Sequence, residues 1–320
     1  MKVCNFSESR VAVVLGASGF LGRHVAKKLN FLGFRVHGLG HGDWAAAEQT
    51  EWGVSHWVRD DISVSSLERC VQDQRPQLFV HCAGGSAVSH SYAAPFDDFE
   101  RTVTSTGVVL EKIRRHCAKS RFVLVSSAAV YGDQGDVDLA ESALRAPVSP
   151  YGFHKMLSEE LCYSYARFFG LRISIVRLFS VYGEGLRKQL LWDAMKKFST
   201  GTSSFFGTGD EVRDWIHVDD AASLLCIAGI AEQSSWEIYN GGNEKASISQ
   251  VLEKLSKSCF PQAAPIFSGE THLGNPRRLT GNTDRARRTL DWHPGVNLTD
   301  GLQRYAVWFL NNMERDYCLS

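Results

Sequence analysis

Three glycines, Gly16, Gly19 and Gly22, follow a short β-branched run at residues 10–15 and stand where a helical pattern begins. Such a run is typical of a strand that is buried on both faces. The spacing is G-x-x-G-x-x-G, with Ser18 in place of the second glycine of the usual dinucleotide fingerprint. Its mechanics are similar, because the backbone must approach a pyrophosphate while helix N–H groups face the anion. The segment therefore predicts a dinucleotide-binding loop; the alternative is a tight turn whose small residues only serve packing.

Strand-like and helical patterns alternate along the first half of the chain. Strand-like runs recur at residues 34–39, 54–58, 78–82, 122–125 and 173–178, and helical patterns at 64–74, 95–117 and 151–169 separate most of them. This alternation predicts an α/β fold with a Rossmann-type doubly wound parallel sheet, which we assign to residues 1–177. Residues 178–320 are expected to form mostly a smaller C-terminal substrate-binding domain, with segments around 210–240 returning to the first domain.

Composition excludes several classes of protein. The chain has 320 residues, 44% apolar and 22% charged, and its 35 basic residues balance 35 acidic ones, so no electrostatic footprint for nucleic acid or an anionic membrane exists. The eight cysteines form no Cys-x-x-Cys pair, which predicts reduced thiols and no metal site. The sequence shows no signal peptide and no apolar run near the roughly 18 residues of a membrane span. We therefore expect a soluble cytoplasmic protein.

Candidate catalytic side chains lie in two segments. Tyr151 and Lys155 are four residues apart in a helical pattern, which places the phenol and the ammonium on one helix face. Ser126 and Ser127 end a buried strand pattern, and open α/β sheets hold their ligands at the carboxyl ends of their strands. We therefore expect these four side chains to lie near one site.

Two aspartates close the third strand-like run, at Asp60 and Asp61, directly before Ile62. An acid at this position can accept a hydrogen bond from an adenine amino group. Spacing alone favours equally a second role, in which the aspartate caps the helix that begins near Ser63.

The end of the second strand-like run bears on cofactor choice. NAD-binding members of such folds place an acid there, about 20 residues past the glycine loop. This chain has Gly40 at that position, followed by His41 and Gly42. The site leaves room for a 2′-phosphate, which His41 and Arg23 could approach with positive charge, so NADP(H) is favoured. NAD(H) stays open, because Asp43 could curl back to the ribose.

Seven segments together resemble the extended short-chain dehydrogenase/reductase family, specifically its nucleotide-sugar epimerases, dehydratases and ketoreductases. The resemblance runs from about residue 10 to residue 310. Its segments are GASGFLG at 16–22, DDI at 60–62, HCAG at 81–84, SSAAVYG at 126–132, YGFHK at 151–155, RLFSVYG at 177–183 and RDWIHVDD at 213–220.

The resemblance implies a role for each catalytic candidate. Tyr151 exchanges a proton with a sugar hydroxyl or carbonyl while a hydride moves to or from the nicotinamide. Lys155 lowers the pKa of that phenol and holds the nicotinamide ribose, and Ser127, or alternatively Ser126, hydrogen-bonds the reacting oxygen. The cofactor contacts assigned on this basis are Gly16, Ser18, Gly19, Phe20, Leu21, Gly22, His41, Asp61, Ile62, Ala83, Gly84, Tyr151 and Lys155.

Substrate contacts are implied in the second half of the chain. Arg213 opens the RDWIHVDD segment and is expected at the diphosphate of a nucleotide sugar, because a guanidinium fits a phosphate bidentately. The alternative for Arg213 is an ion pair with Asp214 or Asp219. Lys188 is a second candidate phosphate ligand, although a solvated helix start is an equally good interpretation.

Two further expectations rest on the resemblance. Family members often carry an Arg-x-Gly-Asp segment that meets the diphosphate, where this chain has HLGN at residues 272–275, and we expect Arg277, or its neighbour Arg278, to replace that contact. Family members also pair the helices that correspond to residues 95–117 and 151–169 between subunits, which implies a homodimer.

Two enzymatic functions remain open. In the 4,6-dehydratases of the family an acid pair follows the catalytic serine, but here Ala128 and Ala129 can neither protonate a leaving group nor remove a proton. The favoured function is reduction of a nucleotide-linked 4-keto-6-deoxy sugar, because the reaction consumes the NADPH that Gly40 indicates. The alternative is a nucleotide-sugar 4-epimerase that holds NAD permanently. A non-enzymatic NADP sensor is a remote third possibility, because the chain keeps Ser127, Tyr151 and Lys155.

Overall fold

The structure is a computed structural model that describes residues 10–72, 74–85, 87–232, 235–271 and 276–317. Its strands are β1 (Val11–Leu15), β2 (Arg35–Gly40), β3 (Val54–Arg59), β4 (Leu78–His81), β5 (Arg121–Ser127), β6 (Asp138–Leu139), β7 (Arg172–Leu178), β8 (Ser180–Tyr182), β9 (Ser204–Phe205), β10 (Val212–His217), β11 (Trp236–Gly241), β12 (Glu244–Ser247), β13 (Ile266–Phe267) and β14 (Arg278–Gly281). Its helices are α1 (Phe20–Phe31), α2 (Ala46–Glu51), α3 (Val64–Val71), α4 (Val88–Ala93), α5 (Pro95–Phe99), α6 (Ser105–His116), α7 (Pro150–Phe169), α8 (Gln189–Ser199), α9 (Val218–Ile230), α10 (Ile248–Cys259), α11 (Asp284–Leu290) and α12 (Leu298–Tyr317).

Seven parallel strands form the main sheet, in the order β3-β2-β1-β4-β5-β7-β11. The five residues of β1 are all buried, as expected for a central strand covered on both faces. The strand order reverses at β1, because β2 and β3 lie on one side and β4 and β5 on the other. Ligands of open α/β sheets bind at such a switch point, beyond the carboxyl ends of the strands.

Helices cover both faces of this sheet. An apolar cluster on one face includes Val25 and Leu29 of α1 together with Leu225 of α9. A second cluster, on the other face, includes Leu110 of α6 and Cys162 of α7. The predicted α/β class and the doubly wound parallel sheet are therefore confirmed.

A second, smaller unit adjoins the sheet. Its strands run in the order β12-β10-β14-β6, with β8 paired to β10. Helices α8, α10 and α12 share its apolar cluster, which includes Met195, Leu252 and Phe309. The segment predicted to return to the first domain divides between the two units: β10 belongs to the second sheet, whereas α9 packs on the main sheet and β11 joins its edge beside β7.

The helical pattern at residues 95–117 is not one continuous α-helix. It consists of α5, a π-helical segment at Glu100–Thr104, and α6. The apolar periodicity of residues 95–117 could not reveal the π-helical turn, which holds more residues than an α-helical turn. Among the described residues, no helix combines the length and the apolar character that crossing a bilayer requires.

Candidate active site

A cavity of about 1220 Å³ opens at the carboxyl ends of β1, β2, β4 and β5 and extends to β10 and α8 in the second unit. It exceeds the roughly 300–1000 Å³ of a typical small-ligand pocket, so it has room for a dinucleotide and a second ligand. Every residue assigned from the sequence to the cofactor, the substrate or catalysis lines this cavity, with the exception of Arg277.

The glycine loop has the close backbone packing that a pyrophosphate site requires. Gly16 adopts φ +78°, and a Cβ there would lie 2.9 Å from the backbone nitrogen of Ala83. A Cβ on Gly22 would lie 2.0 Å from the carbonyl oxygen of Gly16. Helix α1 begins at Phe20 with its first turn at the cavity wall, so its free N–H groups are placed for an anion. These residues fit a dinucleotide.

Two acidic side chains reach the cavity beside the end of β2. Asp60 and Asp61 follow β3, and His41 Nε2 lies 2.9 Å from Asp61 Oδ1. Helix α3 is capped by the hydroxyl of Ser63, which accepts from the N–H of Ser66 at 3.1 Å. The helix therefore does not need an aspartate side chain as its cap, and the Asp61 carboxylate contacts His41 at the cavity wall instead.

Arg23 lies beside the loop and not in the cavity wall. Its Nη2 donates to the carbonyl oxygen of Ser18 at 2.7 Å, and its guanidinium lies over the rings of Trp44 and Trp52. Asp43, the other residue considered for cofactor choice, pairs with Arg59. Neither Arg23 nor Asp43 is among the residues that line the cavity.

Helix α7 positions the phenol and the ammonium. The hydroxyl of Ser149 caps it by accepting from the N–H of Gly152 at 3.1 Å, and Pro150 occupies its first turn, so Tyr151 stands at the cavity and Lys155 one turn later. Lys155 Nζ donates to the carbonyl oxygen of Val125 at 3.1 Å and lies 5.8 Å from the centroid of the Tyr151 ring.

The structure distinguishes the two neighbouring serines. The Ser127 side chain lies beside the Tyr151 phenol, where it lowers the pKa of that phenol. Ser126 is buried, and its hydroxyl donates to Glu159 Oε1 at 2.6 Å. Ser127 is therefore the serine beside Tyr151, and its contact with a substrate oxygen stays a prediction, whereas Ser126 links the end of β5 to α7 through Glu159.

Burial controls the protonation of this group. Burial raises the pKa of the Tyr151 phenol, and the neighbouring Ser127 side chain partly offsets this rise. Burial also lowers the pKa of Lys155 to about 8. The phenol is therefore protonated in the protein at neutral pH, and a nearby positive charge must stabilise its phenolate during proton transfer.

A buried ion pair supports the site and was not recognised in the sequence. Glu159 on α7 accepts from Arg177 on β7 through two hydrogen bonds, Nε at 2.9 Å and Nη2 at 2.7 Å. Arg177 Nη1 also donates to the hydroxyl of Tyr131 at 3.0 Å. The RLFSVYG segment contains the arginine, but its partner lies 18 residues earlier, and only the tertiary structure joins them.

Arg213 and Lys188 bring positive charge to the other end of the cavity. Burial lowers the pKa of both side chains. The two proposed ion-pair partners of Arg213 have other contacts: Asp214 accepts from the N–H of Asn243 at 2.7 Å, and Asp219 pairs with His24 at 2.9 Å. Arg213 Nη1 donates to the carbonyl oxygen of Val212 at 2.8 Å, and its role at a diphosphate stays a prediction.

The second diphosphate contact is not located by the structure. Residues 272–275 lie outside the described residues. Arg277 is exposed and away from the cavity wall, and Arg278 Nη2 donates to Asp138 Oδ1 at 3.1 Å. The assignment of Arg277 therefore stays a prediction. Among the described residues, no cluster of His, Cys, Asp or Glu could hold a metal ion.

Comparisons with known proteins agree with this geometry. A family model described as the NAD dependent epimerase/dehydratase family matches residues 12–242. The UDP-glucuronate 4-epimerase of Thermodesulfobacterium geofontis is 26% identical over 94% of this chain and 97% of its own length. The dTDP-glucose 4,6-dehydratase 1 of Escherichia coli is 26% identical over 94% of this chain and 92% of its own.

One similar solved structure contains a bound nucleotide sugar and NAD. The UDP-glucuronic acid 4-epimerase of Bacillus cereus, crystallised with UDP-glucuronic acid and NAD, is 26% identical and superposes with a TM-score of 0.82. The likeness covers 94% of this chain and 99% of that one. The chain is therefore similar, in sequence and in fold, to proteins that act on nucleotide sugars.

Proposed function

The chain belongs to the NAD-dependent epimerase/dehydratase family, and from this premise we propose that it is a 4-epimerase of a UDP-linked hexose or hexuronate that retains NAD. Membership makes it an enzyme, and its relatives are epimerases and dehydratases of nucleotide sugars. The step from the family to one reaction rests on the residues at the reacting end of the cavity.

The observation that carries the proposal is that two alanines, and no acidic residue, follow Ser127 beside the proton-transfer group Tyr151. Tyr151 and Ser127 line the cavity together with Ala128 and Ala129. The methyl groups of the alanines can neither protonate a leaving hydroxyl nor remove a carbon-bound proton. The site can take a proton from one hydroxyl and return it, which is the proton chemistry of epimerisation.

The chain's residues have distinct roles in this reaction. Bound NAD supplies the acceptor and donor of the hydride. Tyr151 removes the proton of the sugar 4-hydroxyl and later returns it, and Ser127 keeps the reacting oxygen within hydrogen-bond distance. The Lys155 ammonium favours the phenolate that Tyr151 must form. Arg213 and Lys188 neutralise the diphosphate at the far end of the cavity.

The relatives support the epimerase over the ketoreductase that Gly40 favoured in the sequence. Several of them are UDP-sugar 4-epimerases, and the Bacillus cereus epimerase binds NAD. The function is tested by incubating the protein with UDP-glucose, UDP-galactose and UDP-glucuronate, with and without NADPH. Isomer formation without NADPH oxidation is expected. NADPH oxidation with a 4-keto substrate would instead establish the reductase.

We expect Arg213→Ala to weaken binding of UDP by about ten- to hundredfold, because a charge-assisted hydrogen bond contributes about 1.5–3 kcal/mol. NAD binding should stay nearly unchanged. Isothermal titration calorimetry with each ligand measures both affinities. Arg288→Ala, which removes an exposed arginine away from the cavity wall, is the matched control for bulk charge. Equal weakening of both ligands, or unchanged UDP affinity, would contradict a diphosphate contact.

For the cofactor we propose NAD(H) over NADP(H). The sequence pointed to NADP(H) because Gly40 is not acidic, but Asp60 and Asp61 line the same edge from β3, and Asp61 already holds His41 at 2.9 Å. The negative charge of a 2′-phosphate at this edge would be repelled by these carboxylates. Gly40 itself packs closely, since a Cβ there would lie 3.2 Å from Trp57.

We therefore expect NADH to bind at least about tenfold more tightly than NADPH, equivalent to 1.4 kcal/mol of charge repulsion. Titration of each cofactor into nucleotide-free protein, followed by tryptophan fluorescence, gives the ratio. Asp61→Asn should narrow the ratio, whereas Asp210→Asn, an exposed aspartate outside the cavity wall, should leave it unchanged. Tighter binding of NADPH to the wild type would reject this choice and support the reductase.

A homodimer and a cytoplasmic location complete the proposal. Exposed aromatic side chains on α5 and α7 support the dimer, since Phe96 is 69% exposed and Phe168 is 75% exposed. Free cysteines in the described chain, such as the buried Cys70 and Cys162, are compatible with a reducing compartment.

A further inference from the structure

Asp98 is a buried carboxylate for which the proposed mechanism has no use. Its side chain, at the end of α5, has no exposed surface. Oδ2 accepts from His154 Nδ1 at 2.6 Å, and His154 is itself only 12% exposed. Oδ1 has no hydrogen-bond partner within the described part of the chain. Burying a carboxylate in this way costs free energy unless its charge is balanced by a nearby cation.

The carboxylate lies directly behind a stretch of the cavity wall, Gly84–Gly85. A Cβ on Gly85 would lie 1.8 Å from Asp98 Oδ1, and a Cβ on Gly84 would lie 3.4 Å from Lys155 Nζ. The N–H of Gly85 donates to Thr102 Oγ1 at 2.9 Å, which fixes the segment between them. Because neither glycine has a side chain, the Asp98 carboxylate can pack against Gly85 and the Lys155 ammonium against Gly84, so both charges lie at the same two-residue segment.

The other carboxylate near Lys155 is already neutralised. Glu159, one turn further along α7, accepts two hydrogen bonds from Arg177 and a third contact from Arg145 at 3.4 Å. Asp98 has no such Lys or Arg partner among the described residues, and its side-chain contact there is the hydrogen bond with His154. Its negative charge is therefore the less compensated of the two.

The remaining titratable groups that face Lys155 carry no charge at neutral pH. Burial raises the pKa of the Cys82 thiol to about 12 and lowers that of His81 to about 3. Burial, and to a smaller extent the charge of Asp98, raises the pKa of the Tyr151 phenol, so the phenol is also uncharged. None of these three side chains can stabilise an ammonium by its charge.

We propose that Asp98, oriented by His154, is a positioning residue whose buried negative charge keeps the Lys155 ammonium charged beside Tyr151. Burial lowers the pKa of Lys155, and among the groups that oppose this effect Asp98 has the largest influence. His154 Nδ1 lies 2.6 Å from Asp98 Oδ2 and so fixes the orientation of the carboxylate. The inference rests on the proposed function only in the role given to Lys155.

Asp98→Asn removes the charge and leaves an amide oxygen that can still accept from His154. Without the negative charge the ammonium is less stable, so Lys155 should lose its proton at a lower pH. We expect the midpoint of its titration to fall by about one pH unit, which gives about tenfold more neutral amine at any pH below both midpoints. Trace acetylation of the full-length chain at a series of pH values, with Lys155 followed by mass spectrometry, measures this midpoint.

The labelling reports the charge of Lys155 whether or not UDP-sugars are substrates, so failure of this inference and failure of the proposed function are distinguishable. Asp97→Asn, the same change in the neighbouring, partly exposed aspartate, is the matched control and should not move the midpoint. Wild type and variants are compared at equal nucleotide content. An unchanged midpoint in a folded Asp98→Asn variant, or an equal shift in Asp97→Asn, would overturn the proposal.

A second variant covers the case in which Asp98→Asn does not fold. The methyl group of Gly85→Ala must displace Asp98 Oδ1, from which its ideal position is 1.8 Å. It should therefore lower the Lys155 midpoint in the same direction. A midpoint equal to or above that of the wild type would count against the role of Asp98.

Discussion

Tyr151→Phe should lower the rate of epimerisation by at least about a hundredfold, the low end for loss of a positioned acid/base. The substitution removes only the hydroxyl beside Ser127 and keeps the aromatic ring in place. Thermal stability and NAD affinity should therefore stay near those of the wild type. The rate of isomer formation at saturating UDP-sugar measures the effect.

Tyr163→Phe provides the matched control for this prediction. Tyr163 lies on the same helix, its side chain is 47% exposed, and it is away from the cavity wall. Its substitution should leave the rate unchanged. More than a tenth of the wild-type rate in Tyr151→Phe would show that another group moves the proton.

Arg177→Met should lower the free energy of unfolding by about 3–5 kcal/mol, because it leaves Glu159 buried without its cation. Both side chains are almost fully buried, with 2% and 1% of their surfaces exposed. Urea unfolding followed by fluorescence measures the loss. The double variant Arg177→Met, Glu159→Leu removes both charges and should recover most of the stability, since an apolar pair of similar volume is close to neutral.

Arg145→Met is the control for the ion pair. Arg145 contacts Glu159 at 3.4 Å but is 31% exposed, so its loss should lower the free energy of unfolding by less than about 1 kcal/mol. If Arg177→Met lowered the free energy of unfolding by less than about 1 kcal/mol as well, or if the double variant recovered no stability, Arg177 would not be the cation that compensates the buried Glu159.

The parts of the fold that were predicted correctly are those that depend on local sequence patterns. The run at residues 10–15 is apolar and β-branched, and β1 is buried along its length. The glycine spacing predicted a tight loop before a helix, and Gly16 adopts the positive φ that such a loop uses. Tyr151 and Lys155 share a helix face because their spacing within α7 requires it.

The parts that could not be predicted depend on contacts between distant segments. Arg278 on β14 meets Asp138 on β6, 140 residues away, and no periodicity in either segment indicates that pairing. Asp61 and His41 were both assigned to the cofactor from the sequence, but their contact was not predicted, because Asp61 follows β3 and His41 follows β2. Asp98 and His154, 56 residues apart, are likewise joined only by the fold.

Isotope retention at the reacting carbon tests the central claim most directly. UDP-glucose and UDP-glucuronate, each carrying deuterium at C4, are incubated with the protein as purified, without added reduced cofactor, and the products are followed by NMR and by absorbance at 340 nm. An epimerase that returns the hydride to the carbon from which it came should give the C4 epimer of one of these sugars with its deuterium retained and no net change in absorbance. Failure to form either epimer, or turnover only in proportion to NADPH consumed, would contradict the account.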